Sequence, residues 1–332
     1  MTPFQKSTAR PVRTLAAASA VALAGPLLVA AGSASAATAA EEKPFPKVID
    51  LPGFGIDGGF APEGIATAGK TAYVGSLNDG TLAEIDTRTG DVTVLTEGDG
   101  TPSVGLDVKG NRLFVAGGED GDLTVVNRRT GERVASYQLI EPGTGFINDV
   151  IVGPDAAYAT ESQSNRVFVI PFSGDQGTRL PAADGFEVLE LTGDYEPNAS
   201  GFGLNGITTA RGGDLHVVNS TTGVLYRVDT ETGEATEVDI TDADGEDYAL
   251  TNGDGMLRAG RTLFVVQNSD NQIAKIRLDR GKLDSGTVVT VITSDEFNVP
   301  TTVAKRGKQL YLPNAKFGQE TSDYEVTRVA RR

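Results

Sequence analysis

One strand-start motif recurs six times along this chain, and its first residue changes character from copy to copy. The copies are Glu63-Gly64-Ile65, Val104-Gly105-Leu106, Asn148-Asp149-Val150, Asn205-Gly206-Ile207, Asp254-Gly255-Met256 and Thr301-Thr302-Val303. Soon after each copy comes the centre of a second strand: Tyr73, Phe114, Tyr158, Leu215, Phe264 and Tyr311. An all-β repeat of roughly 40–50 residues cannot bury its faces alone and must stack into a ring or an array. Six such repeats predict an all-β chain folded as a six-bladed β-propeller, each blade a short antiparallel meander.

The turns between the strands agree. In the first copy Gly64–Thr67 reads as an inner strand and Ala72–Ser76 as the second. Asn78-Asp79-Gly80 is a hairpin signal, because Asn and Gly accept positive φ. Thr81–Ile85 alternates as a half-buried strand does, and Val92–Leu95 completes the blade. The loop Asp86-Thr87-Arg88-Thr89-Gly90 returns at Asn127–Gly131 and Asp229–Gly233. The 41 glycines are largely turn chemistry, so no phosphate-binding loop is read into them.

The sixth copy runs out after three strands, near Tyr324–Val329. Lys47-Val48-Ile49-Asp50-Leu51, far upstream, is a spare strand. The expected architecture is therefore a ring whose last blade is closed by the N-terminal strand, which removes the exposed edges. Ahead of it, Lys6, Arg10 and Arg13 precede an apolar run from Leu15 to Ala31, followed by the small-residue site Ala34-Ser35-Ala36. Residues 1–36 read as a secretory signal peptide, 37–43 as a flexible mature N-terminus, and 44–332 as one propeller domain. The expected product is secreted and free of the membrane after cleavage.

The composition narrows the chemistry. There is no Cys and one His, which removes disulfide frameworks, thiol nucleophiles and most zinc sites. The net charge of −16 argues against nucleic acid and anionic membranes as partners. His216, within a second strand, reads as an interblade core residue rather than a general base. Asp242, Asp244 and Asp247 form an acidic loop without the spacing of a calcium loop.

If the repeats are blades, the first motif positions converge on the channel. Glu63, Asn148, Asn205 and Asp254 then bring two carboxylates and two amides together. Unit charges ~4 Å apart repel by on the order of 1–4 kcal/mol at effective dielectric constants of 80 to 20. A divalent cation removes that repulsion, and hard oxygen donors favour Ca²⁺, with Mg²⁺ or Mn²⁺ as alternatives. A water-filled structural channel is the other outcome this pattern allows. Asp149, beside Asn148, is either an orienting carboxylate or a turn cap.

The four positions, with Asp254-Gly255-Met256 as the sharpest, resemble the family of senescence marker protein, gluconolactonase and luciferin-regenerating enzyme. The resemblance implies one divalent cation, usually calcium, held by Glu63, Asn148, Asn205 and Asp254. It also implies Asp254 as general base in hydrolysis of a lactone or ester. Family members acting on sugar lactones carry an Arg where this chain has Phe146. Phe60, Phe202 and Phe297 also precede ring positions, so together with Phe146 and Thr301 they are the candidate substrate pocket, suited to something more apolar than a sugar lactone. The expectation is a monomeric, calcium-dependent hydrolase of a small molecule. The competing one is a non-catalytic propeller with a structural ion, binding a peptide, glycan or cell-wall component.

Overall fold

A computed structural model describes residues 47–174, 178–281 and 283–331. Among these residues the strands form six sheets, the six blades of a β-propeller. The inner strands are Pro62–Ala68, Leu106–Lys109, Ile147–Val152, Leu204–Thr209, Gly253–Ala259 and Ala304–Arg306, for blades 1 to 6 in turn. In blade 1 the chain then steps outward through Thr71–Ser76, Leu82–Asp86 and Val92–Thr96, each strand antiparallel to the last. Blades 4 and 5 gain a short parallel addition on the outer edge, Thr192–Gly193 and Asp239–Thr241.

Apolar residues of adjacent blades interdigitate to make the core. Phe114 and Tyr137 of blade 2 pack with Ile147 and Phe168 of blade 3, and all four are buried. Tyr73 of blade 1 meets Leu106 and Leu113 of blade 2 in the same way. His216 belongs to this interior. It is fully buried, its Nε2–H donates to the Leu283 carbonyl at 2.9 Å, and burial pushes its pKa down to about 4. The acidic loop after Thr241 is a local turn, in which the Asp242 carboxylate accepts from the amides of Asp244 and Glu246.

Blade 6 contains Ala304–Arg306, Gln309–Asn314 and Tyr324–Ala330, and its fourth strand is Val48–Leu51. The register runs from Val48 opposite Thr327 to Leu51 opposite Tyr324. Ile49 and Leu51 are buried at 3% and 4% exposure, which is what makes the closure energetic as well as topological. The expected signal peptide and the segment 37–43 lie outside the described residues.

At the channel, neighbouring inner strands touch through backbone. The Gly105 amide donates to the Asn148 carbonyl and the Gly255 amide to the Thr301 carbonyl, both at 2.9 Å. The Thr160 hydroxyl donates to the Asn205 carbonyl at 2.8 Å. Across the seam, the Thr301 hydroxyl donates to the Glu63 carbonyl at 2.6 Å. This proximity explains the glycine at the second motif position. A Cβ on Gly64 would lie 2.0 Å from the Val104 carbonyl oxygen, and one on Gly206 2.0 Å from that of Asp254.

Deleting residues 44–52 should open the seam. Losing the burial of Ile49 and Leu51 alone costs roughly 3–6 kcal/mol at about 1.5–3 kcal/mol per side chain, and the last blade is left with an unpaired edge. A thermal melt should show a drop of many degrees, with self-association on size-exclusion; an unchanged melting temperature would refute the closure.

Candidate functional site

The inner strands of blades 1, 3, 4 and 5 share an irregularity. Pro62 pairs with Ser76 and Ile65 with Val74, so three steps on the inner strand match two on its neighbour. The same shift lies between Ile147 and Val150, Leu204 and Ile207, and Gly253 and Met256. Each is a β-bulge, which inserts one residue and re-aims a side chain out of the strand's alternation. The bulges hold Glu63, Asn148, Asn205 and Asp254, the oxygen donors of the motif. In blades 2 and 6 the regular inner strand begins later, at Leu106 and Ala304.

All four donors line one cavity of about 510 Å³ at the channel. All four are buried, at 7%, 5%, 6% and 3% exposure in chain order. The Asn148 amide nitrogen donates to Ser162 Oγ at 3.0 Å, and Ser162 Oγ donates on to the Leu204 carbonyl at 2.6 Å. Asn268 Nδ2 donates to Asp254 Oδ2 at 2.7 Å. These contacts fix which oxygens remain free. Asn148 Oδ1 and Asn205 Oδ1 are buried and have no hydrogen-bond partner among the described residues.

Burial dominates the electrostatics. It pushes the Glu63 carboxyl well above the usual range, with Asp254 and then Asp149 adding repulsion. Asp254 is pushed up to about 7 by burial, against the Asn268 hydrogen bond, with Asp149 raising it further. Asp149 sits behind the ring, its Oδ1 accepting from the Val150 amide at 2.8 Å and its Oδ2 from the Ile207 amide at 3.1 Å. Burial raises it to about 7 despite those donors.

A divalent cation fits this donor set. Two buried amide oxygens lack a donor, which costs about 1–3 kcal/mol for each group, and two carboxylates carry charge that burial opposes. Coordination would satisfy all four at once, and four oxygens leave places for water or substrate on a Ca²⁺ ion taking roughly 6–8 ligands. Among the described residues no three of His, Cys, Asp and Glu gather at one point; here amides replace half of the acidic ligands.

The expected substrate pocket divides. Phe146 and Phe202 line the cavity and meet edge to face at 5.2 Å. Phe60, Phe297 and Thr301 do not line it. Phe60 is fully buried among Ile49, Leu51 and Tyr311, and the chain turns after it through Ala61 at φ 43°. Phe297 packs with Phe264 and Leu310 between blades 5 and 6. Thr301 is fully buried and its hydroxyl holds the Glu63 backbone. The cavity instead takes Leu77, Ser220 and Asn268, together with Pro102, Glu119 and Phe317. Leu77, Ser162, Ser220 and Asn268 each stand one residue beyond a second strand, so the repeat itself carried their signal. The loop 193–203 reaches the cavity through Phe202, whereas no residue of the loop 241–253 lines it.

No protein-family model matches the sequence, and no curated protein matches it either. Solved structures do match the fold. The major allergen Mala s 1 of Malassezia sympodialis is 16% identical over 86% of this chain and 96% of that one, with a TM-score of 0.63. Regucalcin of Agrobacterium tumefaciens, described as a calcium-binding protein, is 17% identical over 87% and 96%, with a TM-score of 0.58. A luciferin-regenerating enzyme is 13% identical over 82% and 92%, with a TM-score of 0.56.

The raised carboxyls set a pH signature for the chelated protein. A carboxyl whose folded pKa lies above its unfolded value contributes stability that is full below about pH 4 and is lost as pH rises through the folded value; for Asp254 that value is about 7. A cation that binds the deprotonated ring should therefore raise the melting temperature by several degrees at pH 8 and by little at pH 5. His216 titrates in the opposite sense but is common to both forms and cancels in the difference. A calcium shift independent of pH between 5 and 8 would refute this assignment.

Proposed function

We propose that the protein is a secreted, calcium-dependent hydrolase of a lactone or ester. The observation that carries the reading is the pair of buried, unpartnered amide oxygens on Asn148 and Asn205, in one cavity with Glu63 and Asp254. The regucalcin likeness supports calcium as the ion, and Mg²⁺ or Mn²⁺ are the alternatives from the same donor chemistry.

Glu63, Asn148, Asn205 and Asp254 would hold the ion, which when bound supplies a Lewis acid to polarise the substrate carbonyl. The chain's own part is orientation and proton transfer. Ser162 locks the Asn148 amide, and Asn268 holds one oxygen of Asp254. Asp254 takes the proton from an attacking water whose oxygen bonds to the carbonyl carbon. The carbon–oxygen bond to the leaving alkoxide breaks, and that oxygen recovers the proton, giving an acid and an alcohol, or a hydroxy acid from a lactone.

The enzyme acts as a monomer on a small molecule, since every proposed contact comes from one ring. Calorimetry should show one divalent ion bound per chain, with affinity reduced at least tenfold in Asn148→Ala and Asn205→Ala. At saturating calcium, Asp254→Asn should lower turnover of a responsive lactone or ester by roughly 10²–10⁴-fold while the fold melts cooperatively. Full activity in that variant removes Asp254 from the mechanism. Calcium binding without turnover on any carbonyl ester would leave the non-catalytic binding propeller.

A further inference from the structure

We infer that the mouth of this cavity selects a hydrophobic substrate carrying a positively charged group, such as an ammonium-bearing ester or lactone. This rests on the proposed hydrolase for the reaction; the charge preference itself is a property of the mouth.

Above the oxygen ring the wall is apolar: Leu77, Pro102, Val104, Phe146, Phe202 and Phe317. Phe202 and Phe317 are 43% and 48% exposed, among the largest apolar surfaces the described residues leave open. Aromatic area left open at the rim of a cavity marks a binding surface, and three rings around one opening are the setting in which ammonium groups are held by cation–π attraction. Phe146 is anchored by its amide, which donates to buried Glu161 Oε1 at 3.1 Å, and Phe202 packs edge-on against it. The rings are therefore placed before any substrate arrives.

The charges point the same way. The cavity lining holds the carboxylates of Glu63, Asp254 and Glu119 and no Lys, Arg or His. A divalent ion would neutralise the first two. Glu119 remains, and its carboxylate has no hydrogen bond or ion pair among the described residues. Its backbone is fixed. Gly118 exchanges amide–carbonyl hydrogen bonds with Ile147, both at 3.0 Å, and the Glu119 carbonyl accepts from the Gly143 amide at 2.8 Å. This ties Glu119 to the strand that carries Phe146 and Asn148. An anionic substrate end would meet the like charge of Glu119, which stands exposed at the rim, whereas a cation would meet the rings and a carboxylate. A sugar acid's carboxylate would find no Lys, Arg or His on this wall, only the neutral donors of Ser220 and the asparagines.

The test uses the full mature chain with calcium. Choline esters are compared with their neutral 3,3-dimethylbutyl isosteres and with monoesters of succinate. The ammonium ester should exceed the neutral isostere in kcat/KM by about tenfold and the carboxylate by about a hundredfold. Glu119→Gln should reduce the ammonium-to-neutral ratio to about threefold or less, and Phe317→Ala should lower it as well. A neutral or anionic ester turned over best, or a ratio unchanged in Glu119→Gln, overturns the inference. If no ester is turned over, the hydrolase reading fails on its own. Calorimetry of benzyltrimethylammonium against phenylacetate still decides the mouth. A tenfold tighter ammonium supports it, and equal or reversed affinities sink it.

Discussion

Adjacent blades meet at the channel backbone against backbone, and the rest of the molecule is arranged to permit that contact. The Gly105 amide reaches the Asn148 carbonyl and the Gly255 amide the Thr301 carbonyl at 2.9 Å. A side chain at the second motif position would sit between these strands, so glycine holds it in four blades. The consequence is geometric. With the strands this close, the bulges of blades 1, 3, 4 and 5 carry the first motif residue of each into a shared space. The same packing that closes the ring therefore delivers four oxygen-bearing side chains to one cavity. No loop has to be folded to make the site; it forms when the ring forms.

The polar groups at the channel fall into two kinds, and the difference separates structure from function. Asp107 and Asp149 are half-buried carboxyls whose oxygens are matched by backbone donors. Asp107 accepts from the Val108 and Val152 amides at 2.7 Å, and Asp149 from those of Val150 and Ile207. Each links one blade to the next and is complete within the chain. The amide oxygens of Asn148 and Asn205 are more deeply buried and, among the described residues, matched by nothing. Their amide ends could have been turned inward, but Ser162 receives the Asn148 nitrogen and commits its oxygen to the cavity. Both open amide oxygens belong to residues lining one cavity, where an ion or water from outside the chain would complete them.

Much of this was legible in the sequence, and the boundary of legibility has a physical cause. The repeat, the six blades, the closure by Val48–Leu51 and the ring of Glu63, Asn148, Asn205 and Asp254 all follow from periodicity, which registers equivalent backbone positions. Side-chain direction is another matter. Phe60 and Phe202 both stand three residues before a ring position, yet one is wholly buried and the other 43% exposed. Distance along the chain does not encode direction where a left-handed residue such as Ala61 intervenes. The bulges also left no mark that alternation could reveal. Ser162 and Asn268 were within reach, since the residue after each second strand forms a second ring read by the same repeat. Glu119 and Phe317 were not, because they lie on loops between the second and third strands of blades 2 and 6, where the repeats share no pattern.

The absence of cysteine gives the ring a further significance. Disulfides are one device that restrains an unfolded chain; this one has no cysteine. Two other devices act instead, at opposite radii. The N-terminal strand ties the chain's start to its end at the rim of blade 6, burying Ile49 and Leu51. At the axis, the Thr301 hydroxyl binds the Glu63 carbonyl, so the residue that opens the donor ring is held by the blade that closes the propeller. An ion coordinated by Glu63 and Asp254 would join blade 1 to blade 5 across that same seam. Closure and ion binding would thus share a residue, and each would reinforce the other: a sealed ring presents the donors already gathered, and an ion held there would resist separation of the blades that the strand holds at the rim.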